Sequence, residues 1–386
     1  MVVAMFKLSL LFTASLFSPL IQAQTFTIEE LRLDKAQKVL PALKHKNHQV
    51  DTDMALLLKK GDFTQTIDNL RAYAEQLWSN EKKAVQLGAL DDRALYWQRL
   101  AGTKAIKQHG LSFSASQRDA LIEVFEAASR GRTELAYSKG ATKKILLTGF
   151  DPFLLDKNIA QSNPSGIAAL LLDGQVIEYK GITAEINTVM IPVRYEDFDH
   201  GEIESLLAPF YATESVDLIA TISMGREHFD LEHFPGKRRS VIAPDNLNVV
   251  TGANESNPII PLLGNLPLSG PEFVSYSLPY SAMTQASGEY KVIDNREVVI
   301  LQQPENKKFA AQSLSELEHA TAVKGGGGGY LSNEISYRSI RLRNLLGSQI
   351  PTGHIHTPRI IGFDEKANLA VTAQIKEMLR LSLTEI

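Results

Sequence analysis

The sequence predicts an α/β protein: a mostly parallel, twisted sheet with helices on both faces, preceded by a small all-helical N-terminal domain. Two patterns and one bound carry this. Between residues 24 and 140, apolar residues recur at three- and four-residue spacing, as in FTQTIDNLRAYAEQLW and DDRALYWQRLAGTKAI. From Lys143 onward, short apolar runs alternate with helical stretches, the pattern of parallel strands covered on both faces. The chain has 386 residues, 44% of them hydrophobic, enough for a sizeable core and two domains.

Composition narrows the function classes. Forty basic and 44 acidic residues give a net charge of −4, and no basic run stands out, so nucleic acid is not an expected partner. Sixteen Phe, eleven Tyr and two Trp indicate a packed globule. Cysteine is absent, which excludes disulfides, Cys-ligated metals and thiol catalysis, and is compatible with export.

Residues 1–23 read as a signal peptide: Lys7, an apolar stretch from Leu8 to about Leu20, and a small-residue break at Gln22–Ala23, with cleavage after Ala23. The stretch is short for a membrane span, and an uncleaved anchor is the alternative. The mature chain is therefore expected to be periplasmic or secreted, with no stable membrane span. Residues 24–140 form the helical extension. In SASQRDALIEVFEAASRG, Ser116 and Asp119 give an S-x-x-D start and Gly131 closes the helix. Its apolar stripes read as core and docking surface.

Residues 141–386 form the α/β domain. KKILLTGF is a strand, and NPSGIAALLLDG a helix capped by Ser165 and stopped at Gly174. ITAEINTVMIPV and VDLIATISMG are buried strands, with YEDFDHGEIESLLAPFY a helix between them. HATAV, GHIHT and the helix DEKANLAVTAQIKEMLRLSL complete the alternation. An insertion of about 253–303 breaks it, and GEYKVIDNREVVIL inside it reads as a hairpin around Asp294–Asn295.

Ligands of such sheets sit beyond the carboxyl ends of the strands. Three segments fall there: the turn after ILLT, GREHFDLEH after IATIS, and the glycine run Gly325–Gly329 before Tyr330, Leu331 and Ser332. The run reads either as a flexible linker or as a loop whose bare N–H groups face a substrate. Ser332 reads either as a helix N-cap or as a nucleophile beside an oxyanion hole. His354 and His356, alternate residues of a strand, supply a base near neutral pH; the other reading is a zinc site completed by Glu227, His228 or His233. No HExxH-like spacing accompanies the pair. Glu232 can orient a histidine and Arg226 can bind a developing oxyanion, unless the charged loop simply pairs with itself.

These motifs together resemble pyroglutamyl peptidase I, the pyrrolidone-carboxylate peptidase family, over roughly 240 residues. LLTGFDPF is similar to the family's opening signature, and Asn163–Pro164–Ser165 follows it. Gly225, Arg226, Glu232 and Pro244–Asp245–Asn246 fall in the order and spacing of its next motif. GGGGGYLSN matches its nucleophile segment except that Ser332 stands in place of cysteine. His356, in IHTP, lies 24 residues beyond Ser332, as the family's histidine does beyond its nucleophile. The chain departs from the pattern at His233 (family arginine), Lys237 (family asparagine) and near Ile222, where a glutamine is missing; the helical domain and the insertion lie outside the resemblance.

The resemblance implies an exported omega peptidase that removes N-terminal pyroglutamate from peptides, with Ser332 as nucleophile, His356 as base, Glu232 as its partner and Arg226 at the oxyanion. Phe150 and Phe153 would sandwich the lactam ring, Asn163 would meet its amide, and the Tyr330–Leu331 backbone would line the pocket. No cofactor or metal is implied. Homo-oligomerisation is left open. A different class stays open too: a non-catalytic module that binds pyroglutamyl or lactam-like peptide ends.

Overall fold

The structure, a computed structural model, describes residues 25–59, 62–138, 140 and 142–386. The expected signal peptide, residues 1–23, lies outside these residues. The helical region contains α1 (Ile28–Leu31), α2 (Leu33–Val39), α3 (Ala42–Leu57), α4 (Phe63–Ala84), α5 (Arg93–His109) and α6 (Ala115–Ser129). The start of α6 differs from expectation. Ser114 is the N-cap and forms a capping box with Gln117, because its hydroxyl, two residues before Ser116, reaches the Gln117 N–H.

Trp78, Trp97 and Phe125 fill the core of this region, and Leu155, Ile159, Leu170 and Met190 of the α/β domain pack into the same cluster. The two domains therefore share apolar core, so the helical region is built onto the sheet.

The α/β domain runs through β1 (Lys143–Phe150), α7 (Pro164–Leu172), β2 (Val176–Tyr179), β3 (Ile182–Ile191), α8 (Tyr195–Asp199), α9 (Glu202–Thr213), β4 (Leu218–Met224) and β5 (Phe229–Glu232). The short β6 (Leu262–Leu263), β7 (Leu266–Pro267) and α10 (Tyr280–Met283) follow. Then come β8 (Val292–Asn295), β9 (Glu297–Ile300), β10 (Lys307–Ala310), β11 (Ala322–Lys324), α11 (Leu331–Leu346), β12 (Thr352–Thr357) and α12 (Glu365–Ser382). The main sheet has the order β2-β3-β1-β4-β12-β5-β8. Strands β3, β1, β4 and β12 are mutually parallel, whereas β2 and β5 join antiparallel. Every residue of β4 and β12 is buried, as parallel strands covered on both faces require. Helices α7 and α12 cover one face; α9 and α11 cover the other.

Several local expectations are corrected. Asn163, not Ser165, caps α7, its side chain accepting from the Ser165 N–H. The helix expected over 195–211 breaks in two at Gly201, whose φ of +84° cannot continue a helix. The hairpin around Asp294–Asn295 does not form. Strand β8 pairs with β5 in the main sheet, while β9 pairs with β10 and β11 in a separate antiparallel sheet, so the chain changes sheets at Arg296. Strand β11, from HATAV, belongs to that second sheet because β9 supplies its partner.

Candidate active site

The glycine run is a closed turn and not a linker: Gly325, Gly326, Gly327 and Gly329 are buried. Gly325 and Gly328 exchange hydrogen bonds at 3.0 and 2.9 Å, and the Gly326 N–H donates to Phe234 O at 3.1 Å. Three of the five N–H groups are thus used to shape the loop; those of Gly327 and Gly329 find no acceptor among the described residues. Steric room explains the composition. A Cβ on Gly326 would lie 2.3 Å from Glu232 Oε2, and one on Gly329 2.0 Å from Ser240 Oγ.

Helix α11 starts immediately after. Its N-cap is Tyr330, whose side chain caps nothing, so Ser332 is the second helical residue and not the cap. The first intrahelical acceptor is found by Glu334 N–H, on Tyr330 O at 3.1 Å. The N–H groups of Leu331, Ser332 and Asn333 are left at the positive end of the helix, where an anion is favoured. Ser332 itself is half-buried, and its Oγ makes no hydrogen bond among the described residues.

The two histidines of β12 face the same way, with ring centroids 4.9 Å apart, but only one is available. His354 is wholly buried, and both its nitrogens are matched at 2.7 Å, Nδ1 by Thr221 Oγ1 and Nε2 by Ser223 Oγ. Burial holds its pKa well below the ordinary range, with His356 adding to the effect. His356 pairs through Nδ1 with Glu232 Oε1 at 2.5 Å, and its Nε2 has no partner among the described residues. Glu232 is fully buried, and its Oε2 accepts from Asn295 Nδ2 at 3.0 Å. Burial pushes its carboxyl above the usual range, and His356 pulls the other way. Gly225 lets β4 approach His356: a Cβ there would meet that residue's Cβ at 2.7 Å.

The charged loop is not paired with itself. The Arg226 side chain is exposed and unpaired among the described residues, close enough to favour the ionised forms of Asp230 and Glu232. The zinc set is not assembled either, since His233 Nδ1 binds Asp294 Oδ1 at 2.7 Å. Among the described residues, Asp230, Glu232 and His356 are the group close enough to share an ion, their atoms lying within 4.8 Å. The 2.5 Å contact between Glu232 and His356 engages two of those atoms with each other.

Phe150, Phe153, Asn163, Val193, Ser223, Met224, Tyr330, Leu331 and Ser332 line one pocket, which gathers every residue expected to hold the ring together with Ser332. Its volume is about 20 Å³, room for one water-sized group, so a lactam enters only if a wall moves. Phe150 stacks on Phe198 at 6.3 Å; Tyr330 meets Tyr195 edge-on at 5.5 Å and donates its hydroxyl to Pro244 O at 2.9 Å. Phe153 has no such aromatic partner among the described residues and is half-exposed, packed at the edge of the core cluster that holds Phe150, Val193 and Leu331. His356, Glu232 and Arg226 lie outside the lining. His356 is reached through Ser223, its register partner in the sheet, and forms no hydrogen bond to Ser332.

Sequence reasoning missed two groups. Asn295, read as a turn residue, holds Glu232. Two of the three positions that depart from the expected pattern face the insertion: His233 binds Asp294, and Lys237 Nζ lies 2.9 Å from Glu272 Oε1. The helical domain also reaches the ring wall. Arg99 and Arg130 donate to Asp151 at 2.9 and 2.6 Å, and Asp92 accepts from the Asn163 N–H at 3.0 Å. No local pattern marks these contacts, which join residues tens of positions apart.

The description "PA0049, C-terminal domain" matches residues 144–274 and 273–361, and "PA0049 N-terminal domain" matches residues 17–126. The uncharacterized protein PA0049 of Pseudomonas aeruginosa is 28% identical over 362 residues, covering 72% of this chain; the chain spans 66% of that relative's length. Among solved structures, a variant pyrrolidone carboxyl peptidase from Pyrococcus furiosus is 19% identical, over 63% of this chain and 99% of that one, with a TM-score of 0.42. The pyrrolidone carboxyl peptidase of Thermococcus litoralis is 16% identical, over 63% and 94%, with a TM-score of 0.41.

Proposed function

We infer that this chain, which belongs to the PA0049 family, is an exported hydrolase that releases N-terminal pyroglutamate from peptides. One observation carries the reading: a buried carboxylate–histidine pair leaves Nε2 free at the same end of the sheet where an unbonded Ser332 hydroxyl sits on an uncapped helix start. Ser332 Oγ attacks the pyroglutamyl carbonyl carbon as its proton passes to His356 Nε2. The carbonyl oxygen becomes an oxyanion, met by the free N–H groups at the start of α11 and by Arg226. His356 then gives that proton to the departing amine, leaving an ester on Ser332. Water, activated by His356, cleaves the ester and restores both groups. Glu232 holds Nδ1–H and offsets the imidazolium charge throughout.

The missing Ser332–His356 hydrogen bond favours a second reading, a binding module for lactam-like peptide ends. Turnover separates the two. The mature protein is expected to hydrolyse a chromogenic pyroglutamyl amide, unaffected by iodoacetamide or EDTA. Binding without turnover would leave the module; loss on EDTA restored by zinc would replace the serine mechanism.

A further inference from the structure

We propose that Arg32, on the helical domain, is a positioning residue for the ring pocket, tying together two loops that shape it. The proposal rests on the function inferred above. Arg32 occupies the corner between α1 and α2 and is only 7% exposed. Its guanidinium donates Nε to Asp156 Oδ1 at 2.8 Å and Nη2 to Asp156 Oδ2 at 2.7 Å, a bidentate pair. The same group donates Nη1 to Asn246 O at 2.5 Å and Nη2 to Asn248 Oδ1 at 2.8 Å.

Those acceptors lie on two loops. Asp156 is in the segment between β1 and α7 that carries Phe153. Asn246 and Asn248 follow Pro244, whose carbonyl receives the Tyr330 hydroxyl. Asn246 Nδ2 also donates to Pro152 O at 2.9 Å, joining the loops beside the ring wall. One turn earlier, Glu29 accepts from Tyr96 at 2.8 Å and from Arg194 at 2.5 Å, next to the pocket residue Val193. Neither loop is helix or strand around these residues; backbone bonds hold Asp151 to Ile191 O and Asn246 to Val193 O, but none among the described residues involves Phe153 itself. A planar five-donor fork can reach all four oxygens together, which a lysine ammonium cannot.

The test is calorimetric titration of pyroglutamyl amide into the mature chain carrying Ser332→Ala, with unfolding midpoints measured alongside. Arg32→Lys is expected to weaken binding by about 10-fold, the worth of one or two charge-assisted hydrogen bonds. Asp156→Asn, at an exposed position, is expected to weaken it roughly 3-fold. Combined, the two should cost less than their product, because they break the same contact. On the Ser332 background the loss should fall on KM, with kcat held. Unchanged affinity in both folded variants would overturn the role of Arg32 while leaving the proposed function standing. No binding by the parent chain would overturn both.

Discussion

On one side of the site, Ser332, the glycine turn and the His356–Glu232 pair are set mainly by backbone, a turn closed on itself, a helix start and two adjacent strands, with the Asn295 side chain bracing Glu232 and Gly326. On the other side, Phe153 stands on a segment without regular structure that ends at Asn163, the cap of α7, and that segment is held by Arg32, Asp92, Arg99 and Arg130 of the helical domain. The first side tolerates almost no added atom, and damage there should fall on the chemical step. The second is held by replaceable side chains, and damage there should be graded and fall on affinity.

The largest effect expected is on the nucleophile. Ser332→Ala should lower turnover by at least about 10³-fold while lactam binding persists. Ser332→Cys, kept reduced, should match or exceed the native rate, since a thiolate forms beside a histidine more readily than an alkoxide. Initial rates on a pyroglutamyl amide decide this, and an alanine variant of native activity would remove Ser332 from the mechanism.

Next is the carboxylate behind His356. Glu232→Gln should lower kcat by about 10²–10⁴-fold, because an amide can neither hold the same tautomer nor offset the imidazolium. Asn295→Ala should cost about 10-fold, as loss of a hydrogen bond to a charged group does. Both should leave KM near native; a rise confined to KM would erase the contrast between the two sides.

The glycine turn gives a smaller, paired test. Gly326→Ala places a methyl 2.3 Å from Glu232 Oε2 and must displace that carboxylate or the turn, so kcat should fall. Gly328 has a φ of +86° with open space around its missing Cβ, so Gly328→Ala should cost about 1–2 kcal/mol of stability, the left-handed penalty, with kcat little changed. Equal rates for the two variants would break the steric account.

The smallest effect concerns docking of the two domains. Asp197, in the charged cleft beside Arg194 and Glu126, has its pKa raised to about 6, chiefly by burial, with Arg194 opposing. A raised carboxyl binds its proton more tightly in the folded state, so stability from this group is greatest in acid. It falls as pH rises from the unfolded value of 3.8 to about 6. Asp197→Asn should flatten that slope and add about 1 kcal/mol near neutral pH, discounted for partial exposure. Denaturant midpoints at pH 4 and 7 check the sign.

The order of elements, the strand ends where chemistry gathers, and the identity of Ser332, His356 and Glu232 as candidates could be read from the sequence. Strands, caps and glycine turns are local: neighbours a few positions apart determine them, and their spacing is visible in one dimension. Even so, local competition misled at Ser114 and Asn163, where several capping residues stand side by side. Tertiary structure alone decided which histidine is free, since His354 and His356 differ only in what β4 and β5 place against them. It alone brought Asn295 to Glu232 across 63 positions and Arg32 to Asp156 across 124. Such contacts exist only after two units have packed, and side chains that meet through packing leave no period or spacing in the chain.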